Sequence, residues 1–156
     1  MTSLAHTPIT PMLVESLYLE AMTLADEARS YFDREGAADR GKLDPVARVA
    51  FSCESLKVTT RLMHVVSWLL VRKAVQAGEI DAAEAGHPDR RLGRATDSDD
   101  PARLIYLPAK SREIVDRSRD LYDRVSRLDV QIGDQTAEGG PAGGARALLD
   151  RLRSSI

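Results

Sequence analysis

The segment 51–75, FSCESLKVTTRLMHVVSWLLVRKAV, constrains the fold most, because it lacks glycine and proline and predicts the inner part of a long helix. Three stripes spaced alternately by three and four residues run along it, and each occupies one helix face. The first stripe is Val49, Cys53, Leu56, Thr60, Met63, Ser67, Leu70 and Ala74. The second is Phe51, Ser55, Val58, Leu62, Val65 and Leu69. The third is Glu54, Lys57, Arg61, His64, Trp68, Val71 and Val75.

The chemistry of the stripes predicts which faces of this helix are buried. The first two are mainly apolar, so we expect each to pack against a neighbouring helix and Cys53 to be a small buried thiol. The third stripe begins with charged residues, so its first half should face water. Its apolar end, Trp68, Val71 and Val75, needs a cover. We expect either the apolar run 104–107 to fold over it or a second copy of the chain to pair with it in a homodimer.

Helix start and stop signals delimit three long helices. Thr10 and Asp44 are N-cap residues, each followed by a proline that suits the first helical turn. Gly36 and Gly78 fit the ends of the first two helices, and Gly133 fits the end of the third. The predicted helices span residues 11–35, 45–77 and 108–131, and the connection 79–107 holds one short helix.

Apolar stripes on the outer two helices predict the rest of the core. In the first helix the stripe is Val14, Leu17, Ala21, Leu24, Ala28 and Tyr31. In the third helix it is Ser111, Ile114, Ser118, Leu121, Val125, Leu128 and Ile132. A short connection between the first two helices favours an antiparallel pair. We therefore expect an all-α, antiparallel three-helix bundle over residues 10–132, preceded by a disordered lead-in at residues 1–9.

The composition changes in residues 133–156, where we expect a flexible tail. The stretch 138–144 is rich in glycine, as flexible linkers are. It is followed by a short segment in which Leu148, Leu149 and Leu152 lie on one side of a possible helix. A helix this short is marginally stable in water by itself. The segment is therefore either a tail that binds a partner or a frayed chain end, and the sequence favours neither.

Composition and charge argue against several classes of protein. The net charge is −2, so the chain has no general basic field that would attract nucleic acid. The single cysteine excludes an internal disulfide and fits a reducing compartment. The first ten residues lack the features of a signal peptide, and no apolar run reaches the ~20 residues that span a bilayer. We expect a cytoplasmic protein without membrane insertion.

The residue types that carry chemistry are scattered along the chain. His6, His64 and His87 fall in the lead-in, the central helix and the loop, and none has the spacing of metal ligands. Cys53 has no histidine one helical turn away that could activate it as a nucleophile. The sequence therefore predicts no catalytic, cofactor-binding or metal site, and we expect a protein that is not an enzyme.

Several short motifs can be compared with a known family. In and after the central helix they are Phe51-Ser52, Glu54-Ser55-Leu56, Thr59-Thr60-Arg61-Leu62-Met63, Ser67-Trp68-Leu69-Leu70 and Gly78-Glu79. Later in the chain they are Arg91-Leu92-Gly93, Leu107-Pro108, Leu121-Tyr122, Arg124-Val125 and Leu128-Asp129. In this order, over residues 10–132, they resemble the signature of the alphaproteobacterial RcdA family, the regulators of CtrA degradation.

The resemblance implies a dimeric three-helix bundle with a disordered C-terminal tail, acting as a non-enzymatic adaptor for the ClpXP protease. Such an adaptor joins a protease primed by a CpdR-like response regulator to cargo such as CtrA-like cell-cycle regulators, with recruitment to the cell pole. The family's tail takes part in cargo delivery, and here that tail corresponds to residues 133–156. Within it we expect the apolar residues Leu148, Leu149 and Leu152 to bind cargo. Two other classes stay open. One is a helical scaffold or polar regulatory protein without a role in proteolysis, and the other is an enzyme or ligand-binding bundle.

Overall fold

Three long helices account for most of the chain in the computed structural model, which describes residues 7–95, 104–139 and 152–153. Helix α1 spans Pro11–Ser30 and is continued by a π-helical turn, Tyr31–Glu35, and by a short helix α2, Gly36–Gly41. Helix α3 spans Pro45–Gln76, α4 spans Ala82–Ala85, and α5 spans Ala109–Gly139, with a 3₁₀ turn at Pro88–Arg90. The described residues contain no strand, and the all-α prediction is confirmed.

The predicted start signals are confirmed by their hydrogen bonds. The Thr10 side-chain oxygen accepts a hydrogen bond from the Leu13 backbone N–H at 3.1 Å, and Asp44 Oδ1 accepts one from Ala47 at 2.8 Å. Each bond satisfies one of the N–H groups that a helix leaves unpaired in its first turn. At the other end of α3, Gly78 has a φ of 74°, the left-handed conformation that lets the chain leave the helix.

The three long helices do not alternate in direction. The α1–α5 pair is antiparallel, because Glu27 near the end of α1 bonds Lys110 at the start of α5. The α3–α5 pair is parallel: Arg61 contacts Ser118, and Trp68, two turns further along, contacts Asp129. The predicted antiparallel arrangement therefore holds for α1 against both other helices and not for α3 against α5. The connection 77–108 must return along the bundle, as in helix bundles with one crossover.

Both outer helices bury the stripes that the sequence predicts. All six predicted residues of the first helix are buried, from Val14 through Tyr31, and so are all seven of the third, from Ser111 through Ile132. Two residues of α5 beyond that stripe, Val115 and Asp129, are buried as well. The second stripe of α3 supplies Phe51, Val58, Leu62, Val65 and Leu69, which complete one continuous core.

The other two stripes of α3 reverse their predicted roles. Residues of the first stripe face outward: Leu56 is 69% exposed, Met63 is 65% exposed, and Cys53 is exposed instead of being a buried thiol. The first half of the third stripe, predicted to face water, is instead buried: Glu54 is 2% exposed and Arg61 is 3% exposed. Both predictions are wrong, and the charged stripe is the one that faces α5.

Partners for the polar groups explain this reversal. Arg61 Nη1 donates to Ser118 Oγ on α5 at 3.2 Å, and the Ser118 hydroxyl donates in turn to the Val115 carbonyl at 2.8 Å. Glu54 lies 3.5 Å from the Lys57 ammonium group one turn away. A buried polar group costs little once it is hydrogen-bonded, so partners on α5 and on α3 itself permit this face to be buried.

Two glycines predicted as helix ends lie inside helical segments. Gly36 has a φ of −68°, and a Cβ there would lie 2.8 Å from the Tyr31 carbonyl oxygen and 3.1 Å from Phe51 Cζ. Gly133 lies within α5, where a Cβ would lie 2.6 Å from Arg91 Nη2. Each glycine therefore provides room for a close contact, and the predicted ends at Glu35 and at residue 131 are wrong.

The lead-in and the apolar loop run also differ from expectation. Residues 1–6 lie outside the described residues, but Thr7 is held at α5, where its N–H donates to Gln131 Oε1 and its carbonyl accepts from Gln131 Nε2. The run 104–107 lies at the start of α3, where Tyr106 borders a groove with Val46. It therefore lies far from Trp68 and does not cover it.

We predict that Leu62→Ala lowers the free energy of unfolding by ~2–5 kcal/mol, because Leu62 is buried between α1 and α3 and its loss leaves a cavity. The measurement is chemical denaturation followed by circular dichroism. The matched control is Leu19→Ala on α1, since Leu19 is 57% exposed and its change should stay within about 0.5 kcal/mol. Equal effects of the two substitutions would contradict the assignment of the core.

Candidate functional site

The outward face of α3 carries a long row of uncharged, mainly apolar residues. Its members, spaced alternately by three and four residues, are all exposed, and we call them the seam: Val46, Val49, Cys53, Leu56, Thr60, Met63, Ser67 and Leu70. The seam contains no charged residue, although 29% of the chain is charged. Single exposed apolar residues are ordinary on protein surfaces, but a contiguous apolar patch is typical of an interaction site.

A first groove runs beside the seam between α1 and α3 and has a volume of about 520 Å³. Its apolar lining includes Ala25 from α1, Phe32 from the π-helical turn that follows α1, and Leu62 from α3. Met63 and Leu70 of the seam form one wall. Near its rim, Arg29 and Asp33 approach to 3.8 Å, and both side chains are largely exposed. Such a groove fits an apolar side chain or a helix face, with polar groups only at its edge.

A second groove, of about 740 Å³, lies at the beginning of α3. Val46, Val49 and Cys53 of the seam line it, with Leu43 just before the helix and Tyr106 near the end of the crossover. Cys53, the single cysteine of the chain, is exposed here. The seam therefore connects two apolar grooves, one at its start and one along its second half.

On the opposite face of α3, a buried carboxylate joins three parts of the chain, and we call this cluster the Asp129 latch. Asp129 Oδ1 accepts hydrogen bonds from Trp68 Nε1 at 2.9 Å, from Arg91 Nε at 2.8 Å and from the Leu92 N–H at 3.3 Å. Arg91 Nη2 also donates to the Asp129 carbonyl oxygen at 2.8 Å. This hydrogen bonding raises the pKa of Arg91 above its ordinary value.

Further contacts extend the latch along the crossover. The Tyr122 hydroxyl donates to the Gly93 carbonyl at 2.6 Å and accepts from the Ala95 N–H at 3.2 Å. Gly93 lies directly on the His64 ring, since a Cβ on Gly93 would fall 2.3 Å from Nδ1. Nearby, the Arg72 guanidinium lies 5.6 Å from the Trp68 ring centre, and burial lowers the pKa of Arg72. The returning chain is thereby attached to α3 and α5 by specific polar contacts.

Trp68, Val71 and Val75, which the sequence predicts to form a dimer interface, lie at or near the latch and are not exposed. Trp68 is 2% exposed and hydrogen-bonded within the chain, so a contact between Trp68 and a second copy does not fit the structure. Val71 and Val75 are half-buried. The sequence predicts neither the outward position of the seam nor the latch. The seam has the pattern of a core face, and Asp129 and Arg91 belong to no predicted stripe.

Most of the predicted tail lies outside the described residues. Leu148 and Leu149 lie outside the described residues, whereas Leu152 is 63% exposed. Residues 133–139 of the predicted tail belong to α5. The tail as a cargo-binding segment therefore stays a prediction from the sequence.

Other kinds of site receive no support from the part of the chain that is described. Across residues 7–95 and 104–139, no three side chains of His, Cys, Asp or Glu come together in a way that could hold a metal ion. Nor does any helix in these ranges have both the length and the hydropathy needed to cross a bilayer. The apolar seam and its grooves are the surface feature best suited to binding.

Comparisons with known proteins agree with this picture of the fold. The model of a family described as a protein of unknown function (DUF1465) matches residues 5–156. The crystal structure of RcdA from Caulobacter crescentus CB15 matches with a TM-score of 0.63 and 30% sequence identity, covering 85% of this chain and 97% of the RcdA chain. The chain belongs to the RcdA family. The resemblance inferred from the motifs of the central helix is thereby confirmed.

Residues of the latch and its extension lie in the motifs that resemble the RcdA family. Arg91, Gly93, Tyr122 and Asp129 all lie in motifs that resemble the RcdA family, and all four take part in the latch or its extension. In this chain these residues attach the crossover to the bundle, so their role is to hold the fold together. A comparison with curated proteins gives no match.

We predict that Asp129→Ala frees the crossover from α5. Loss of the carboxylate leaves the Trp68 N–H and the Arg91 guanidinium without their acceptor, and the free energy of unfolding should fall by about 1–3 kcal/mol. Amide hydrogen exchange at Leu92 should accelerate by at least about tenfold, as expected for a locally opened segment. Asp123→Ala, on the exposed face of α5, is the matched control and should leave this exchange unchanged.

Proposed function

We propose that this chain is a non-enzymatic adaptor that delivers cargo proteins, such as cell-cycle regulators, to the ClpXP protease through a primed complex with a CpdR-like response regulator. The observation that carries the proposal is the relation to RcdA, with 30% identity over 97% of the RcdA chain. This role requires binding surfaces and no catalytic machinery. The chain acts in the cytoplasm and is recruited with its protease to the cell pole.

The surface of the bundle supports a binding role. The seam and its two grooves provide an uncharged apolar area flanked by polar residues such as Arg29 and Asp33. Interfaces that form and dissociate typically combine a small apolar centre with a polar rim. An adaptor needs at least two such contacts, one with the protease complex and one with cargo. We propose that the chain works as a homodimer, which doubles every contact.

The tail supplies the second contact in this proposal. Residues 140–144, which include three glycines, follow α5 in the sequence and precede the segment with Leu148, Leu149 and Leu152. A short flexible tether can hold bound cargo near the protease at an effective concentration in the millimolar range, without strong binding at either end. Ordering a flexible segment costs entropy, so each cargo contact is weak and reversible, which suits delivery.

The test is reconstituted degradation of a CtrA-like cargo by ClpXP and the CpdR-like regulator, with the full chain compared with a chain ending at Gly139. Gly139 is the appropriate end, because Ile132 is 8% exposed and belongs to the core, so a cut at residue 131 would damage the bundle. We predict that the shortened chain stays folded and binds the primed protease but loses delivery of at least one cargo.

A Leu148→Ser and Leu149→Ser double variant of the full chain is the matched control for tail length. It should lose the same cargo if the apolar residues hold it. If every cargo is degraded equally fast by the shortened chain, cargo binding belongs to the bundle. If the full chain neither accelerates degradation nor recovers the CpdR-like regulator or ClpX in a pull-down, the adaptor role is wrong. The alternative, a helical scaffold or polar regulatory protein outside proteolysis, would then be favoured.

A further inference from the structure

A pocket of about 420 Å³ lies where α3 ends, between α3, α5 and the segment before α1. Its volume is within the range of about 300–1,000 Å³ that small-molecule sites have. Ile9, Val75 and Ile132 form its apolar part. The segment before α1 is held by Gln131, whose amide bonds the N–H and the carbonyl of Thr7 at 3.0 and 2.9 Å. Each side of the pocket is therefore part of the folded bundle.

Arg72 is the only charged residue among the described residues that line this pocket. Its guanidinium carries several N–H donors, but within the described part of the chain only Nη2 has an acceptor, the Ala85 carbonyl oxygen at 3.4 Å. Arg72 Nε is buried and has no acceptor among these residues. Because Arg72 is half-buried, water can replace the missing bonds only in part. The guanidinium therefore has donors available to a ligand.

The carboxylate that acts on Arg72 is already occupied by another arginine. Asp129 Oδ1 and Oδ2 accept hydrogen bonds from Arg91 Nε and Nη2 at 2.8 and 3.1 Å. Two guanidinium groups therefore share one carboxylate, which leaves an excess of one positive charge beside the pocket. The exposed Asp134 acts on Arg91 rather than on Arg72. A partly buried cation without its own counterion is unfavourable, so an anion in this pocket is favoured.

We propose that this pocket, which we call the Arg72 pocket, binds a small organic monocarboxylate. The ligand's carboxylate accepts hydrogen bonds from the Arg72 guanidinium, and a short apolar group packs against Val75 and Ile132. The single charge of the ligand balances the single excess charge of the two arginines. A phosphate group carries a charge of about −1.5 to −2 and fits this balance less well. This binding activity goes beyond the adaptor role and does not depend on it.

Three glutamines provide uncharged donors around the same pocket. Gln76 comes from the end of α3, and Gln131 and Gln135 come from α5. Gln131 uses one N–H on the Thr7 carbonyl, and its other N–H can bond a ligand. Because amides carry no net charge, these residues can orient a carboxylate without changing the charge balance that favours it.

Trp68 gives the Arg72 pocket a spectroscopic signal. It is the single tryptophan of the chain, it is 2% exposed, and its ring centre lies 5.6 Å from the Arg72 guanidinium. A carboxylate that draws the guanidinium toward the pocket changes this cation–π contact. Ligand binding should therefore change the fluorescence of Trp68, although the ligand itself does not reach the buried ring.

Titration of the full chain with sodium 2-methylpropanoate tests the proposal, with the ionic strength kept constant by sodium chloride. We expect a saturable change in Trp68 fluorescence with half-saturation in the millimolar range, which suits so small a ligand. The neutral 2-methylpropanamide has the same shape and should bind at least about tenfold more weakly. N-acetylvaline, titrated in parallel, distinguishes two sources of the carboxylate. Tighter binding than 2-methylpropanoate indicates the chain end of a peptide, and weaker binding indicates a free small acid.

Two variants test whether the ligand lies in the Arg72 pocket. Gln135 is exposed, so Gln135→Glu should keep the helical circular dichroism and weaken binding at least about tenfold by charge repulsion. Thr23→Glu, exposed on α1, is its matched control and should leave binding unchanged. Arg72→Met removes the positive charge and should abolish magnetisation transfer from the protein to the ligand's methyl protons in NMR. Arg112→Met, exposed at the start of α5, should retain this transfer.

Each outcome supports or overturns the proposal. Equal binding of 2-methylpropanamide and 2-methylpropanoate, or unchanged binding by Gln135→Glu, overturns the Arg72 pocket as a carboxylate site. Tighter binding of inorganic phosphate than of 2-methylpropanoate overturns the ligand class, and so does the absence of saturable binding of both carboxylates. If Arg72→Met does not fold, Gln135→Glu decides by itself. The degradation assay tests the adaptor function separately, since it is carried out without an added carboxylate.

Discussion

Helix α3 has two neighbours but three faces that could be buried, and much of the structure follows from this constraint. One face packs on α1 and the other on α5, so a third must remain outside. The face left out is apolar, with Leu56 and Met63, whereas Glu54 and Arg61 are inside. Hydrophobic burial by itself would favour the opposite choice. The outcome depends on α5, where Ser118 accepts a hydrogen bond from Arg61 and Asp129 accepts one from Trp68.

Polar contacts of this kind contribute directional specificity that apolar contacts lack. A buried charged group that loses its partner is strongly destabilising, so only one rotation of α3 about its own axis satisfies Arg61 and Trp68 together. That rotation turns the seam outward. The same packing arrangement therefore buries the polar face of α3 and exposes its apolar face. The outward position of the seam depends on hydrogen bonds on the opposite side of the helix.

The sequence predicts the outer helices well and the central helix poorly, for a physical reason. In α1 and α5 a single stripe is apolar, and every residue predicted on it is buried, from Val14 to Ile132. In α3 the pattern shows which faces are apolar, but it cannot show that Ser118 and Asp129 lie opposite the charged face. Those partners are 57 and 61 residues away in the chain. An exposed apolar stripe has the same sequence pattern as a buried one, so the sequence predicts Leu56 and Cys53 to be buried, whereas both are exposed.

The glycines show the same limit of local reasoning. A glycine suits both a left-handed helix end and a close contact, and the sequence does not distinguish these uses. Gly78 takes the first, with a φ of 74°, and Gly36 takes the second, against Tyr31 and Phe51. The family motifs were more informative, because they identified the relation to RcdA independently of which face was buried.

The parallel course of α3 and α5 has a consequence for the order of folding. The α1–α3 pair is joined by a short connection, whereas α5 reaches Arg61 and Trp68 only after the long crossover has been synthesised. Contacts between distant residues close late, so we expect a hairpin of α1 and α3 to form first. In that intermediate the face awaiting α5 carries Glu54 and Arg61, and it can remain hydrated. A wholly apolar face there would promote aggregation on the ribosome. We therefore expect the charges of Glu54 and Arg61 to keep this face hydrated until α5 packs on it.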